Sequence, residues 1–357
     1  MKYSPIDIVE TNDGYLILAS EQRAESNFNG TKLIAIDEKG DYLEETSLDE
    51  NNVLPTGDFL DIEGIHYFLT MNPTTLSGQL VTVGDTPQSA QTTELGGGIQ
   101  YPLALNKTSN NELLVLSYHL DDGSTVLSRH DLTGALLGSG TYTIGAGNEV
   151  EDDIINHYLD PDRSGLPFSC GEISSGSYYF NGFYNYSFSM VFTKLSSEPT
   201  GVIQGQGANG GLTAILPLEG GSFSMFGFQF NDNFVQAKQS IDINATTASI
   251  DYLKLPSTEF IARSHAKFIS YEIDGTSYSV LAAETQTRQI GLYFYDVQTG
   301  LLAGIHHIGY LNPFNLGGIK VDDENNLIVT GSTLISGRFE RVFLTKVHEQ
   351  KIASLVK

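Results

Sequence analysis

The sequence predicts an all-β protein: a seven-bladed β-propeller with four-stranded antiparallel blades, forming a single domain over residues 1–357. Three observations predict it. A strand–turn–strand unit near the N-terminus, "NDGYLILAS" (12–20), returns near the C-terminus as "DENNLIVTGST" (323–333). Gly or Asn recurs at the first turn of each unit, at Gly14, Gly64, Asn111, Gly176, Gly221, Gly275 and Asn326. These turns are about 50 residues apart, the period of a propeller blade. Within the units the runs alternate, Leu16 and Leu18 against Tyr15 and Ile17, and several are apolar on both faces. That pattern suits a sheet sandwiched between two neighbouring sheets.

The blades are expected at about 6–48, 58–95, 99–142, 152–204, 209–250, 260–309 and 316–357. The first pairs two hairpins, the second around "DEKGD" (37–41), and the last is expected to mirror it with two strands around "HEQK" (348–351). Gly and Asn stand at the hairpin turns because a two-residue turn needs positive φ. Small residues (Gly96, Gly97 and Gly98; Gly210 and Gly211; Gly317 and Gly318) precede several first strands, where blades converge. The one helix candidate is "EVEDDIINHYLD" (149–160), with Ile154, Ile155, Tyr158 and Leu159 on one face. Six or eight blades are the alternative counts. A jelly roll or paired sandwiches would also give many short strands, but neither predicts a fixed period of four-strand sets.

The chain carries a formal net charge of −24, yet only 17% of its residues are charged. Scarce Lys and Arg, not acidic runs, produce that balance. It excludes nucleic acid as a partner, since phosphates would be repelled and no basic stripe exists to release counterions. Anionic lipid is disfavoured for the same reason. The single cysteine, Cys170, precludes an internal disulfide and reads as a small buried residue. No stretch is apolar enough for a membrane span. The low-charge, Thr/Tyr/Asn-rich composition suggests an exported protein of the periplasm or cell surface, its leader or lipid anchor outside this sequence. A cytoplasmic location is the alternative. A monomer is expected.

Candidate chemistry is sparse. "DPDRSG" (160–165) spaces oxygens of Asp160, Asp162 and Ser164 as a calcium loop does, with Gly165 at the bend. The full loop would place Glu at its twelfth position, where this chain has Gly171, and Asp and Ser are equally turn formers. Calcium is therefore the one candidate cofactor, against a solvated loop. His306 and His307 are neighbours on a strand and face opposite sides, so they do not make a metal pair. No nucleophile elbow occurs, and the strings "LGGGIQ" and "GQGANGG" lack the helix that phosphate binding needs. The hairpin "GSYYFNGFYNYSFSMVF" (176–192) concentrates aromatic rings. Phe183, Tyr184 and Tyr186 near its turn either meet a sugar or protein partner or fill outer blade positions.

The pattern "NDGYLILAS…GTKLIAIDEKGDYLEE", with Asp37 and Gly40, Asp131 and Gly134, and Asp296 and Gly300 at matching turns, resembles the exported propeller repeat proteins common in Bacteroidetes. The resemblance covers five units well. It implies export and a role as scaffold, adhesive module or subunit of surface machinery. The absence of tryptophan excludes WD repeats, Trp-ended aspartate boxes and quinoprotein docking motifs.

The expected binding face is the one where chain enters each first strand and second strands hand over to third. Its loops carry Arg23, Asp58, Gln100, Tyr101, Tyr184, Asn209, Arg263, His265, Asn312, Phe314 and Asn315. Amides, tyrosines and two arginines point to non-enzymatic recognition of a protein or glycan. The alternative is a polysaccharide lyase or glycosidase using Asp58, Asp61 and Asp152, which would need paired carboxylates about 5–10 Å apart.

Overall fold

The computed structural model describes residues 3–23, 26–145, 167–206, 210–253, 256–335 and 339–356, together with 150, 152, 154 and 156. The chain divides into two compact units, Met1–Ile203 with Ile243–Thr246, and Gln204–Asp242 with Thr247–Lys357.

Unit 1 is built from antiparallel meanders. The first is β1 (Tyr3–Thr11), β2 (Gly14–Glu21), β3 (Gly30–Ile36) and β4 (Tyr42–Ser47). The second is β5 (Val53–Ile62), β6 (Ile65–Met71), β7 (Gly78–Val83) and β8 (Gln91–Glu94), joined to the first through the single pair Gly30–Val53. Next come β9 (Pro102–Lys107), β10 (Leu113–His119), β11 (Ser124–His130) and β12 (Leu136–Thr143). The last meander is β13 (Ser169–Ser174), β14 (Ser177–Tyr184), β15 (Ser187–Thr193) and β16 (Gly201–Gln204). Its edge is completed at 243–246, where Val202 N–H donates to the Ala245 carbonyl; β20 (Thr246–Ala248) follows.

Unit 2 contains β17 (Gly210–Leu218), β18 (Ser222–Gln229), β19 (Asp232–Ser240) and the two-residue β21 (Pro256–Ser257) in one sheet. A second sheet is β22 (Ala266–Ile273), β23 (Thr276–Glu284), β24 (Ile290–Asp296) and β25 (Leu302–Ile308). The third is β26 (Phe314–Val321), β27 (Leu327–Ile335) and β28 (Phe339–Val347).

Period-two alternation explains how each unit holds together. Phe68 in β6 meets Leu16, Leu18 and Leu33 of the preceding sheet, while its neighbours Tyr67 and Leu69 meet Leu105, Leu113 and Val115 of the following one. The same alternation in unit 2 sends Leu281 and Ala283 toward Phe226, and Val280 and Ala282 toward Leu316 and Val329. Each inner sheet thus buries both faces, which is why its strands read as continuous apolar runs. First strands of successive sheets lie side by side: β1, β5, β9 and β13 in unit 1, and β17, β22 and β26 in unit 2.

The hairpin turns follow their residues. Glu63 and Gly64 have φ of 55° and 77°, and Asp274 and Gly275 have 51° and 73°, as two-residue turns require. At the last first-turn the positive φ belongs to Asn325 (61°), not to Asn326, whose buried amide instead donates to Asp322. The second turns share one device. Oδ1 of Asp37 accepts the amides of Lys39 and Asp41, Oδ1 of Asp131 those of Thr133 and Ala135, and Oδ1 of Asp296 that of Thr299. Gly40, Gly134 and Gly300 each supply the left-handed residue, with φ of 85°, 86° and 71°.

Two expectations end differently. Of the helix expected at 149–160, only Val150, Asp152, Ile154 and Asn156 are described. All four are helical, with Val150 and Ile154 buried. Around "HEQK" there is no second strand: β28 runs to Val347 and a helix, Glu349–Leu355, follows. The segment "EQKIASL" is made mostly of good helix formers. Ile352 is fully buried in the apolar cluster of unit 2, and the Asn326 amide oxygen accepts the N–H of Glu349 in the first turn at 3.0 Å. The helix packs on β25, where a methyl added to Gly304 would fall 2.6 Å from the Leu355 carbonyl oxygen.

Candidate functional site

In each unit the tight first and second turns lie at one end of the strands. The longer connections, second strand to third and one sheet to the next, lie at the other. In unit 1 these longer loops are tied to one another by backbone hydrogen bonds. Leu54 N–H donates to Asn29, Tyr101 to Leu76, Tyr118 to Tyr101, Ile144 to Gly123, and Tyr186 to Ile144. Leu54 and Tyr101 adopt positive φ (56° and 40°), so backbone strain is accepted there to make the connection.

The unit 1 candidates are largely absorbed by this collar. Arg23 is half-buried and donates through Nη2 to the Leu48 carbonyl at 2.7 Å, lying over Gly30. Gln100 accepts the Leu120 amide at 3.3 Å. Tyr101 is a core residue, its ring 6.0 Å from that of Tyr118. Tyr184 packs against the same cluster, and burial, reinforced by Glu198, pushes its phenol pKa up. Asp58 is half-buried mid-way along β5. Phe183 is buried, so of the three hairpin aromatics expected near the turn only Tyr186 stands out, 72% exposed on a turn where Asn185 and Tyr186 both have positive φ. The remaining rings fill the core, with Tyr142 hydrogen-bonded across to the Thr193 hydroxyl.

The carboxylates needed for glycosidic chemistry are distributed differently from the expectation. Asp61 sits at the tight-turn end of β5, opposite to the loop end, because the β5–β6 turn at 63–64 follows it immediately. There its Oδ2 lies 3.0 Å from His66 Nδ1. Asp152 is exposed. Asp160, Asp162, Ser164 and Asn209 lie outside the described residues. Among the described residues, no group of three or more His, Cys, Asp or Glu side chains is placed to hold a metal ion. Cys170 is buried, and burial pushes its thiol pKa up to about 12.

In unit 2 the longer loops are also stitched together. Asn233 Nδ2 donates to the Ile261 carbonyl at 2.6 Å, Gln286 N–H to Glu259, Phe314 N–H to Arg288, and Gln289 Nε2 to the Gly309 carbonyl at 2.6 Å. The Pro313 carbonyl accepts the Thr333 hydroxyl at 2.9 Å. Five predicted residues lie on these loops. Arg263, exposed at φ 54°, holds its guanidinium 4.9 Å above the Phe228 ring, a cation–π contact. His265 is half-buried beside Ser264, whose hydroxyl donates to the Glu284 carbonyl. The Phe314 ring stacks edgewise on Phe343 with centroids 4.9 Å apart, and Asn315 Nδ2 donates to Ser332. Asn312 is half-buried on the same loop.

The most exposed apolar side chains sit just before these residues. Tyr310 and Leu311 are each 85% exposed. Their loop is nonetheless anchored on both sides, by Gln289 on Gly309 and by Thr333 on Pro313, with the Phe314 ring tucked under Gly309 at φ 100°. Phe230 and Ile335 are exposed at the same end of their strands, 60% and 46%. Sequence reading passed over Tyr310 and Leu311, though an apolar pair between Gly309 and Asn312–Pro313 is a turn signal carrying side chains no core can reach. The adjacent strand histidines separate as their alternation requires. His306 is half-buried, while His307 is exposed and places Nε2 3.0 Å from Glu259 Oε1.

No protein-family model matches this chain, and no curated protein does. Solved structures do. The β-propeller domain of the Trilobed protease from Pyrococcus furiosus, which has an open velcro topology, is 10% identical over 96% of this chain and 93% of its own, with a TM-score of 0.50. The chain is built as a β-propeller. The acylaminoacyl peptidase of Pyrococcus horikoshii is 11% identical over 100% of this chain, with a TM-score of 0.51. This chain spans 54% of that peptidase, about half its length. A chain of the Mitotic Checkpoint Complex is 10% identical over 96% of this chain and 87% of its own, with a TM-score of 0.51. At such identities the likeness concerns the propeller fold alone.

Proposed function

We propose that this chain is a seven-bladed propeller that works as a non-enzymatic recognition module and binds a protein partner through the loop end of its second unit. The sevenfold repeat of first turns in the sequence and the run of successive four-stranded meanders support the blade count. The single observation that carries the function is the Tyr310–Leu311 loop tip. Two large apolar side chains lie almost fully in water on a loop held rigid at both ends. A preorganised loop loses little entropy on binding, so covering these side chains is converted efficiently into affinity. Leu311 offers a sugar no hydrogen bond, whereas Tyr with an aliphatic neighbour suits the centre of a protein interface. Scarce positive charge keeps nucleic acid away and leaves the apolar tip as the attractive feature. The hydroxyl- and amide-rich composition supports work outside the cytoplasm, at a bacterial surface.

Selection of displayed random peptides against the immobilised protein tests this reading. The enriched peptides are expected to lose at least about tenfold in affinity for the double variant Tyr310→Ser/Leu311→Ser, as truncated hot spots do. Peptides that bind parent and variant alike, or a selection that enriches none, would count against it.

A further inference from the structure

Five arginines fall among the described residues, and the fold uses three of them. Arg23 donates to the Leu48 carbonyl, Arg129 pairs with Glu112 at 2.9 Å, and Arg263 lies over the Phe228 ring. Arg288 and Arg341 are exposed, and neither guanidinium meets a carboxylate, a carbonyl or a ring among the described residues. Both stand on the backbone that holds the Tyr310–Leu311 loop. The Arg288 carbonyl accepts the Phe314 N–H at 3.0 Å, and the neighbouring Gln289 holds the Gly309 carbonyl. Arg341 is the cross-strand partner of Thr333, whose hydroxyl holds the Pro313 carbonyl. Arg341 also shares its face of β28 with Phe343, the ring that meets Phe314. One guanidinium thus belongs to each of two successive sheets, and the loop carrying the apolar pair joins those sheets.

The carboxylates of this region are engaged elsewhere. Glu259 is held by His307 Nε2 at 3.0 Å, and Glu284 accepts the Leu316 N–H at 2.8 Å. Glu340, next to Arg341 in β28, points to the opposite face of the strand and has a partner of its own. Asp232, exposed at the same end, lies on a third sheet, in β19. Other exposed acids of this unit gather at the far end of the strands, Glu272 and Asp274 at the β22–β23 turn and Asp323 and Glu324 at the β26–β27 turn. In a chain of net charge −24, two uncompensated positive charges therefore accompany the most exposed apolar side chains.

We infer that the partner segment taken up by the Tyr310–Leu311 tip is acidic: an apolar centre flanked on each side by an aspartate or glutamate, one carboxylate for Arg288 and one for Arg341. This rests on the loop-tip reading and deepens it. A guanidinium takes a carboxylate through two parallel hydrogen bonds, which fixes orientation as well as adding attraction. Two donors on separate sheets suit two separate carboxylates, whereas a phosphate calls for cations converging on one group. The negative charge of the rest of the chain acts against acidic proteins at large, but it is screened beyond about 8 Å at physiological ionic strength. A segment is accepted only where its carboxylates reach the guanidiniums, and that is a source of specificity.

The random-peptide selection on the full chain supplies the probes. Enriched peptides are expected to carry Asp or Glu on both sides of an apolar centre. Arg288→Gln and Arg341→Gln should each weaken a synthetic enriched peptide about threefold or more, with the melting temperature near the parent's, since neither guanidinium holds the fold. Changing the matching acid of the peptide to its amide should then cost nothing further on that variant, so a double-mutant cycle locates each pair. Added salt should weaken binding to the parent more than to the doubly substituted protein. Peptides that need Tyr310 and Leu311 yet show no acidic excess, or that ignore both arginine variants, would overturn this inference and leave the loop-tip reading standing. Peptides indifferent to Tyr310→Ser/Leu311→Ser, or a selection that enriches none, would remove both. Tighter binding of a version with one phosphoserine in place of the acids would assign the arginines to phosphate and end the carboxylate pairing.

Discussion

The carboxylate of Asp7, fully buried in β1, accepts the amide of Phe59 in β5 at 2.8 Å. One side chain thereby fastens the first strands of two successive sheets. It does so where β1 is irregular, its register shifting between Pro5 and Asp7. Asp7→Ala leaves a buried N–H without its acceptor, which costs about 1–3 kcal/mol. Asp7→Asn keeps an acceptor and should cost less. Urea denaturation of the two variants checks both the size and the order.

Tyr310 and Leu311 contribute almost nothing to the fold. Tyr310→Ser/Leu311→Ser should change stability by no more than about 0.5 kcal/mol, as surface substitutions do. Thermal melting beside the peptide-binding assay separates a lost contact from a damaged fold.

Acid should weaken the protein in two stages, and the first belongs to histidines. Burial lowers the pKa of His66, His119, His130 and His306 below the ordinary 6.5. His130 shows why: its ring is enclosed, with Nδ1 on the Gly134 carbonyl and Nε2 on the Ser128 hydroxyl. As pH falls through about 6.5 the unfolded chain takes up protons that the folded one refuses, so stability drops toward the folded pKa values. Urea midpoints should decline between about pH 7 and pH 5, and a flat profile there contradicts the assignment.

The second stage belongs to the turn aspartates. Hydrogen bonds from Thr133 and Ala135 hold the Asp131 carboxyl below its ordinary 3.8, and those from Thr299 do the same for Asp296. Their stabilisation is present above the unfolded value and is lost as pH falls through the folded one. Asp131→Ala and Asp296→Ala should lower the neutral-pH urea midpoint. Both should also flatten the profile in the most acidic range.

Ile352→Ala opens a hole beneath the C-terminal helix, where Ile352 is fully buried, and should cost about 2–5 kcal/mol. Hydrogen exchange should show the loss in β25 through β28.

Much of the fold was legible because it is a matter of local period and turn chemistry. Gly64, Gly176 and Gly275 announced their turns through the positive φ that L side chains avoid, and Asp131 with Gly134 announced theirs through an aspartate that bonds its own backbone. The final helix was misread because repetition favoured a strand, whereas "EQKIASL" answers to helix propensity and a cap supplied by Asn326, a partner distant in sequence. The candidate site was less legible. Loop position alone does not say whether a ring turns inward, as Tyr101 does, or outward, as Tyr186 does, because the collar of loop-to-loop hydrogen bonds decides it. Tyr310 and Leu311 needed exposure to be seen at all.

The Asn326 cap on Glu349 and the Ile352 anchor also govern the order of events at the ribosome. Every strand of the second unit emerges before the residue that seals its core. Until Ile352 clears the exit tunnel, β25 and β27 stand with an apolar seam open to solvent, and that is the interval in which a nascent chain of this protein most needs protection from its neighbours.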